Sequence, residues 1–175
     1  TDHPYVLKNN AAKEIQNFPN WLVFWLRKSF LKEDIFEDQS FPKKIYIDRG
    51  DAKSNHSQFR KILNEEEIIQ KLKFEGYKII RLANLSFLDQ VKTFFNANQI
   101  IGLHGAGFAN LIFCKPKTDV LEIKPSTDGD VIKNLAGTFD LGFKSLSKKA
   151  VNYNDYGNMG HLEVKYKDIQ KIFNV

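Results

Sequence analysis

Between Lys43 and Leu146 short β-branched runs alternate with segments of helical period, and that alternation restricts the fold more than any other feature of the chain. Lys43–Asp48, Tyr77–Leu82, Gln99–Leu103, Asp119–Ile123 and Phe143–Leu146 read as five strands. Asn64–Glu75 reads as a helix with Ile68, Ile69 and Leu72 on one face, an Asn64/Glu67 capping pair and Gly76 as its stop. Ser86–Asn96 reads as a second, capped by Ser86 and Asp89, with Leu88, Val91 and Phe95 facing inward. A glycine-rich turn leads into a short helix ending near Phe113; Val131–Leu141 and Lys167–Phe173 complete the helices. Strands that alternate with helices form a parallel sheet covered on both faces, with right-handed crossovers. The expected fold class is therefore α/β. Ligands of such sheets bind at the carboxyl ends of the strands, which directs the search for chemistry to the loops that follow them.

Composition excludes several alternatives. The 175 residues are 42% hydrophobic and 27% charged, a balance foreign to disordered, collagenous or membrane-spanning chains. At this length folding buries about 70% of the surface of the unfolded chain, enough for a core without covalent staples. The longest apolar run, Trp21–Leu26, falls far short of the about 20 residues that cross a bilayer. A single cysteine, Cys114, forms no internal disulfide and no thiolate metal site. The opening Thr1-Asp2-His3-Pro4 has neither a methionine nor a basic-then-apolar leader, so the expectation is a fragment without a signal peptide. Pro4, Pro19 and Pro42 punctuate an aromatic-rich stretch, so residues 1–42 are expected to lack a single regular element.

The net charge of +5 favours anionic partners, yet the lysines are spread along the chain. A solvated lysine-rich surface accounts for them as well as a binding face does.

The candidate site residues lie after three strands. Arg49 and Arg60 frame a loop that is long for a strand-to-helix connection, and their planar guanidinium forks suit phosphate oxygens. Surface pairing with carboxylates is the competing account. Asn64 and Glu65 begin the next helix, where capping is an equally ordinary role. After the third strand, Gly102-Leu-His-Gly-Ala-Gly107 opens a helix: small residues admit an anion to the backbone N–H groups and the helix terminus adds partial positive charge. Gly105, Ala106 and Gly107 are thus phosphate candidates, while His104 is a phosphate donor or a base. Tight strand–helix packing selects the same glycines. Asn110, one turn on, reads as a reach toward the pocket or as a surface residue. Glu122 sits inside Val-Leu-Glu-Ile-Lys-Pro, where a carboxylate needs partners: ribose hydroxyls or a lysine.

Rival motifs fail. The glycines follow the third strand as GxxGxG, not GxGxxG after the first, so the usual dinucleotide fold is not expected. There is no GxxxxGK[ST] and no GxSxG elbow. His3, His56, His104 and His161 are scattered, and no HxxxH or DxD occurs, so no metal site is expected.

Taken together, Arg49, the segment Arg60-Lys-Ile-Leu-Asn-Glu65, Glu75-Gly-Tyr77, Leu85–Val91, Ile101-Gly-Leu-His-Gly-Ala-Gly107 with Asn110, and Val120-Leu-Glu-Ile-Lys-Pro125 resemble glycosyltransferase family 61. The resemblance covers roughly Lys43–Leu146. That family includes bacterial capsular-polysaccharide transferases and eukaryotic xylosyl- and N-acetylglucosaminyltransferases. Three departures stand out: a longer loop between Arg49 and Arg60, Asp89 for the more frequent glutamate, and Phe108 for the more frequent leucine.

The resemblance implies a Rossmann-like nucleotide-sugar-binding domain at 43–175, the C-terminal half of a GT-B glycosyltransferase, with 1–42 a linker or remnant of the other half. It implies an inverting, metal-independent transfer from a nucleotide-sugar, here taken as a UDP-sugar, to a hydroxyl of a cell-surface polysaccharide or glycan. No resident cofactor and no nucleic-acid partner are implied. On this reading Arg49, Arg60 and His104–Gly107 hold phosphates, Glu122 holds the ribose, and His104 is the candidate base. The lysine- and asparagine-rich style suggests a bacterial protein, cytoplasmic or held peripherally at the inner face of the membrane. The alternatives are a non-catalytic nucleotide- or glycan-binding module and a basic nucleic-acid-binding domain.

Overall fold

The structure, a computed structural model, describes residues 18–32, 38–50, 60–151, 160–173 and 175. In chain order the elements are α1 (Asn20–Phe30), β1 (Lys44–Asp48), α2 (Glu65–Phe74), β2 (Lys78–Arg81), α3 (Phe87–Asn96), β3 (Gln99–Leu103), a 3-10 segment (Ala106–Phe113), β4 (Asp119–Pro125), α4 (Val131–Thr138), β5 (Gly142–Lys148) and α5 (Tyr166–Ile172). The five strands form one sheet, every pair parallel, in the order β2-β1-β3-β4-β5. This is the α/β parallel sheet expected from the alternating pattern, in the Rossmann-like form that the family resemblance implied. The long loop at 51–59 lies outside the described residues.

Each central strand is apolar on both sides because each side meets a helical layer. One core takes Ile45 and Ile47 of β1, Ile100 of β3 and Val120 of β4, with Val23, Val91, Phe94, Phe108, Leu111 and Leu135 from α1, α3, the 3-10 segment and α4. The other takes Tyr46, Ile101, Leu121 and Ile123 of the same strands, with Ile68 and Leu72 of α2 and Ile169 of α5. The outer strands β2 and β5 carry exposed charges, Lys78 and Arg81 on one and Lys144 on the other. Charged side chains at a sheet edge discourage pairing with another chain.

Three local outcomes add to or depart from the sequence reading. First, Asn20–Phe30 is a regular helix within residues 1–42, where the prolines argued only against one continuous element. Pro19 and Pro42 leave an uninterrupted window between them, and Pro19 sits at the helix start, where proline is tolerated. Exposed Trp21, Phe24 and Trp25 blur the amphipathic pattern, yet Val23 is buried and Arg27 donates to the carbonyls of Ile112 (2.5 Å) and Cys114 (2.7 Å). Those carbonyls end the 3-10 segment, so α1 is built into the main core.

Second, the inward face of α3 is shifted by one residue. Val91 and Phe94 are fully buried, Leu88 is exposed and Phe95 is only partly buried. Phe87, about half exposed, packs edge-on against Phe30 of α1 (4.8 Å between ring centroids) and Phe113 of the 3-10 segment (5.9 Å). The buried face is Val91 and Phe94, with Phe95 packed at its edge. Ser86 caps this helix as the sequence implied, accepting from the Asp89 N–H at 3.1 Å.

Third, α4 stops at Thr138 rather than Leu141. Asp140 adopts a left-handed φ of 53°, and the Leu141 N–H returns to the Ala136 carbonyl at 3.1 Å, closing the helix in the manner of a Schellman turn.

Removing the fully buried ring of the α3 face tests this packing. Phe94→Ala is expected to cost about 3–5 kcal/mol, read as a lower urea midpoint with an unchanged m value.

Candidate active site at the carboxyl ends of the strands

The strand order reverses direction between β1 and β3. From β1 the chain passes to α2 on one face; from β3 it passes to the 3-10 segment on the other. Such a reversal opens a crevice beyond the strand ends. Here it is a cleft of about 220 Å³, bordered by Asp48, Arg49, Leu82, Leu103, Ala106 and Gly107.

Arg49 and the glycine-rich turn meet at its rim. Arg49 Nη1 donates to the His104 carbonyl at 2.6 Å. The guanidinium lies so close that a Cβ on Gly105 would stand 3.0 Å from its Cζ and Nε. A Cβ on Gly107 would stand 2.9 Å from Leu82 Cδ1. Both glycines thus serve close packing, and the start of the 3-10 segment leaves its first N–H groups without intrahelical acceptors, as any helix start does. Asn110 lies one turn on and donates to Gln90 Oε1 at 3.2 Å and the Gly107 carbonyl at 3.3 Å.

Asp48 and Glu65 place two carboxylates near this rim. Asp48 accepts from the Gly50 N–H at 2.7 Å and from Arg81 at 2.6 and 3.1 Å. Glu65 accepts from the Tyr46 hydroxyl at 2.6 Å. Burial pushes the Glu65 carboxyl above its ordinary value; the Tyr46 hydrogen bond works in the opposite direction. Burial, followed by the charge of Glu65, holds the Tyr46 phenol well above its ordinary range.

A second group lies between the ends of β3 and β4. Glu122 has no exposed surface, and its Oε1 meets His104 Nδ1 in a short hydrogen bond. The His104 backbone N–H donates to the Ile123 carbonyl at 2.8 Å, which holds the turn against β4. Lys124 Nζ stands 3.9 Å from Glu122 Oε2 and donates to the Gly129 carbonyl at 2.8 Å. On the other side of the imidazole, Asp128 Oδ2 lies 3.8 Å from His104 Nε2, and Asp128 Oδ1 accepts from Arg60 Nη2 at 3.0 Å.

The ten residues expected from sequence therefore divide. Arg49, Ala106 and Gly107 border the cleft, with Gly105 against the Arg49 guanidinium, Glu65 close to Asp48 and Arg49, and Asn110 one turn on. His104, Glu122 and Arg60 form the neighbouring group. Glu122, for which a ribose contact was expected, is fully covered in this structure with one oxygen on His104. Asn64 clasps the backbone of Val164, donating to its carbonyl at 2.7 Å and accepting from its N–H at 3.2 Å. That clasp, beside the Ile62–Leu162 bridge, anchors the segment leading to α5.

Sequence reasoning missed Asp128 and Tyr46 altogether. Asp128 sits in a Ser-Thr-Asp-Gly-Asp loop whose composition signals only a turn. Tyr46 lies in a strand where an aromatic reads as core. Among the described residues no group of three or more His, Cys, Asp or Glu side chains is arranged to hold a metal ion, and no helix is long and apolar enough to cross a membrane.

Residues 2–121 match the family model described as glycosyltransferase 61. That is more than half of the chain, and the protein belongs to this family. Among curated proteins it is similar to the EGF domain-specific O-linked N-acetylglucosamine transferases of Mus musculus, 33% identical over 85 residues, and Drosophila melanogaster, 26% identical over 103. These alignments cover 46% and 57% of this chain but only 16% and 20% of the relatives. The chain spans about a fifth or less of the length of these animal proteins, and the bacterial expectation finds no support among them.

The raised Glu65 carboxyl yields a pH prediction. A carboxyl with a raised folded value contributes stability that is complete below the ordinary glutamate range and is lost as pH rises through the folded value. Glu65→Gln retains an acceptor for Tyr46 and removes the buried charge. Its melting midpoint is expected to exceed that of the parent chain at pH 8, the difference vanishing below pH ~4; scanning calorimetry across this range checks it.

Proposed function

We propose that this chain is the donor-binding part of a glycosyltransferase that uses a nucleotide-sugar and inverts the anomeric centre. The single observation that carries the reading is a cleft at the topological switch point of a parallel sheet, edged by Arg49 and by Ala106 and Gly107 of the glycine-rich turn, in a member of glycosyltransferase family 61. In this reading the diphosphate of the donor lies against the first N–H groups of the 3-10 segment, where the partial positive charge of a helix start favours anions. The Arg49 guanidinium, which carries five donors, holds the turn through Nη1 and faces the same phosphates. Arg60 approaches from the Asp128 side. These groups neutralise the leaving diphosphate without a bound cation, a role that electrostatic preorganisation fills when donors are fixed in advance.

The reaction balances simply. An acceptor hydroxyl oxygen forms a bond to the anomeric carbon, the bond from that carbon to the diphosphate oxygen breaks, and the nucleoside diphosphate leaves with the electron pair. The hydroxyl proton passes to a base. For the sugar, N-acetylglucosamine is the first candidate, because the relatives are transferases of that sugar by name. For the acceptor, a hydroxyl on a glycan or a protein domain fits the same chemistry, and UDP is the first nucleotide to test.

Calorimetric titration with UDP, GDP, CDP and CMP, each with and without EDTA, tests the reading. One diphosphate is expected to bind, with affinity unchanged by EDTA; binding lost in EDTA and restored by manganese removes metal independence. Arg49→Ala is expected to weaken that binding by about 1.5–3 kcal/mol, the range for hydrogen bonds to charged groups. Absence of binding by every nucleotide overturns the donor-site reading. Binding without sugar transfer in the intact protein points to a binding module, and tighter binding of an oligonucleotide to a nucleic-acid role.

A further inference from the structure

We propose that Glu122 and Asp128 are positioning residues that hold His104 as the proton acceptor for the incoming hydroxyl, an assignment that rests on the transferase reading above. The argument begins with cost. A carboxylate with no exposed surface, flanked in its strand by fully buried Leu121 and Ile123, is expensive unless its partners are well placed. Glu122 spends one oxygen on His104 Nδ1. Its other oxygen, Oε2, makes no hydrogen bond among the described residues and has Lys124 Nζ at 3.9 Å. The arrangement serves the imidazole before it serves the carboxylate.

Accepting from Nδ1–H selects the tautomer whose lone pair lies on Nε2. That nitrogen turns toward Asp128. Oδ1 of Asp128 is pinned by Arg60 at 3.0 Å, which leaves Oδ2 aimed at Nε2 from 3.8 Å. This gap is too long for a hydrogen bond, and the carboxylate attracts the ring only once Nε2 has taken a proton. Oδ2 is buried and has no hydrogen-bond partner among the described residues. The ring is the exposed member of the group, with 17% of the His104 side chain open against 0% for Glu122 and 9% for Asp128.

The chemistry follows. As the acceptor oxygen bonds to the anomeric carbon and the diphosphate departs with its electron pair, the hydroxyl proton moves to Nε2. The imidazolium then lies between the Glu122 carboxylate and Asp128 Oδ2. Every charged group near the ring takes part in that balance: Glu122 and Lys124 from β4, Asp128 and Asp130 from the loop after it, Arg60 before α2, and Arg49 after β1. A second carboxylate offsets these cations on the side where the proton arrives.

The test uses the intact protein with a UDP-sugar, in the parent and in His104→Ala, Glu122→Gln and Asp128→Asn, with UDP affinity measured alongside. His104→Ala is expected to lower kcat by about 10²–10⁴-fold, beyond any loss in UDP affinity. Nitrogen-15 spectra of the His104 ring are expected to show the Nδ1–H tautomer in the parent. The acid limb of the pH–rate profile is expected to move to lower pH in Asp128→Asn, because removing a carboxylate disfavours the imidazolium. An Nε2–H tautomer in the parent overturns the proposal, as does an unmoved pH profile in both carboxylate variants. Asp128 lies at the rim, so Asp128→Asn remains informative if Glu122→Gln fails to fold. UDP binding with these outcomes absent removes the relay and leaves the donor site standing; no nucleotide binding removes both.

Discussion

The hydrogen bond between Glu122 and His104 ties together parts of the chain that sequence order keeps apart. Glu122 belongs to β4, its side chain fully covered. His104 belongs to the turn that leaves β3, and its main chain is bonded to β4 through the Ile123 carbonyl. With the ring held on Glu122 and its carbonyl held by Arg49, the turn has one available path. That path sets the position of Gly105–Gly107 and therefore the wall of the cleft. A buried charge tolerates few arrangements of its neighbours, so this pair constrains the site more firmly than apolar packing alone would.

The glycines of the turn show how packing and binding share residues. Gly105 makes room for the Arg49 guanidinium and Gly107 for Leu82. Both are needed whether or not an anion ever arrives. What packing creates is nonetheless suited to binding: a cation drawn against a turn whose following N–H groups lack acceptors, at the reversal point of a parallel sheet.

The helical layer shows the limits of local pattern. The α3 face is centred on Val91 and Phe94 with Phe95 at its edge, while Leu88, which spacing also put inside, is exposed and the half-exposed Phe87 rests on Phe30 and Phe113. Helical spacing allows more than one such set, and only the neighbours decide between them. Likewise Asn64 reads as a cap or a ligand from its own segment, but its partner, Val164, lies 100 residues away.

The amino-acid sequence by itself determined the class of fold, the five strands to within one or two residues at each end, and the stretches that carry polar residues at the strand ends. Those properties follow from side-chain periodicity and local turn chemistry, which act over a few residues. It also carried the motifs of glycosyltransferase family 61. Only the tertiary structure decided that His104 covers Glu122, that Asp128 and Arg60 complete the group, and that α1 belongs to the main core. Each of these depends on which distant segments lie side by side, a matter settled by sheet order and burial. Charged partners in a folded chain are selected by the cost of leaving them unpaired in a low-dielectric interior, and that cost exists only once the interior has formed.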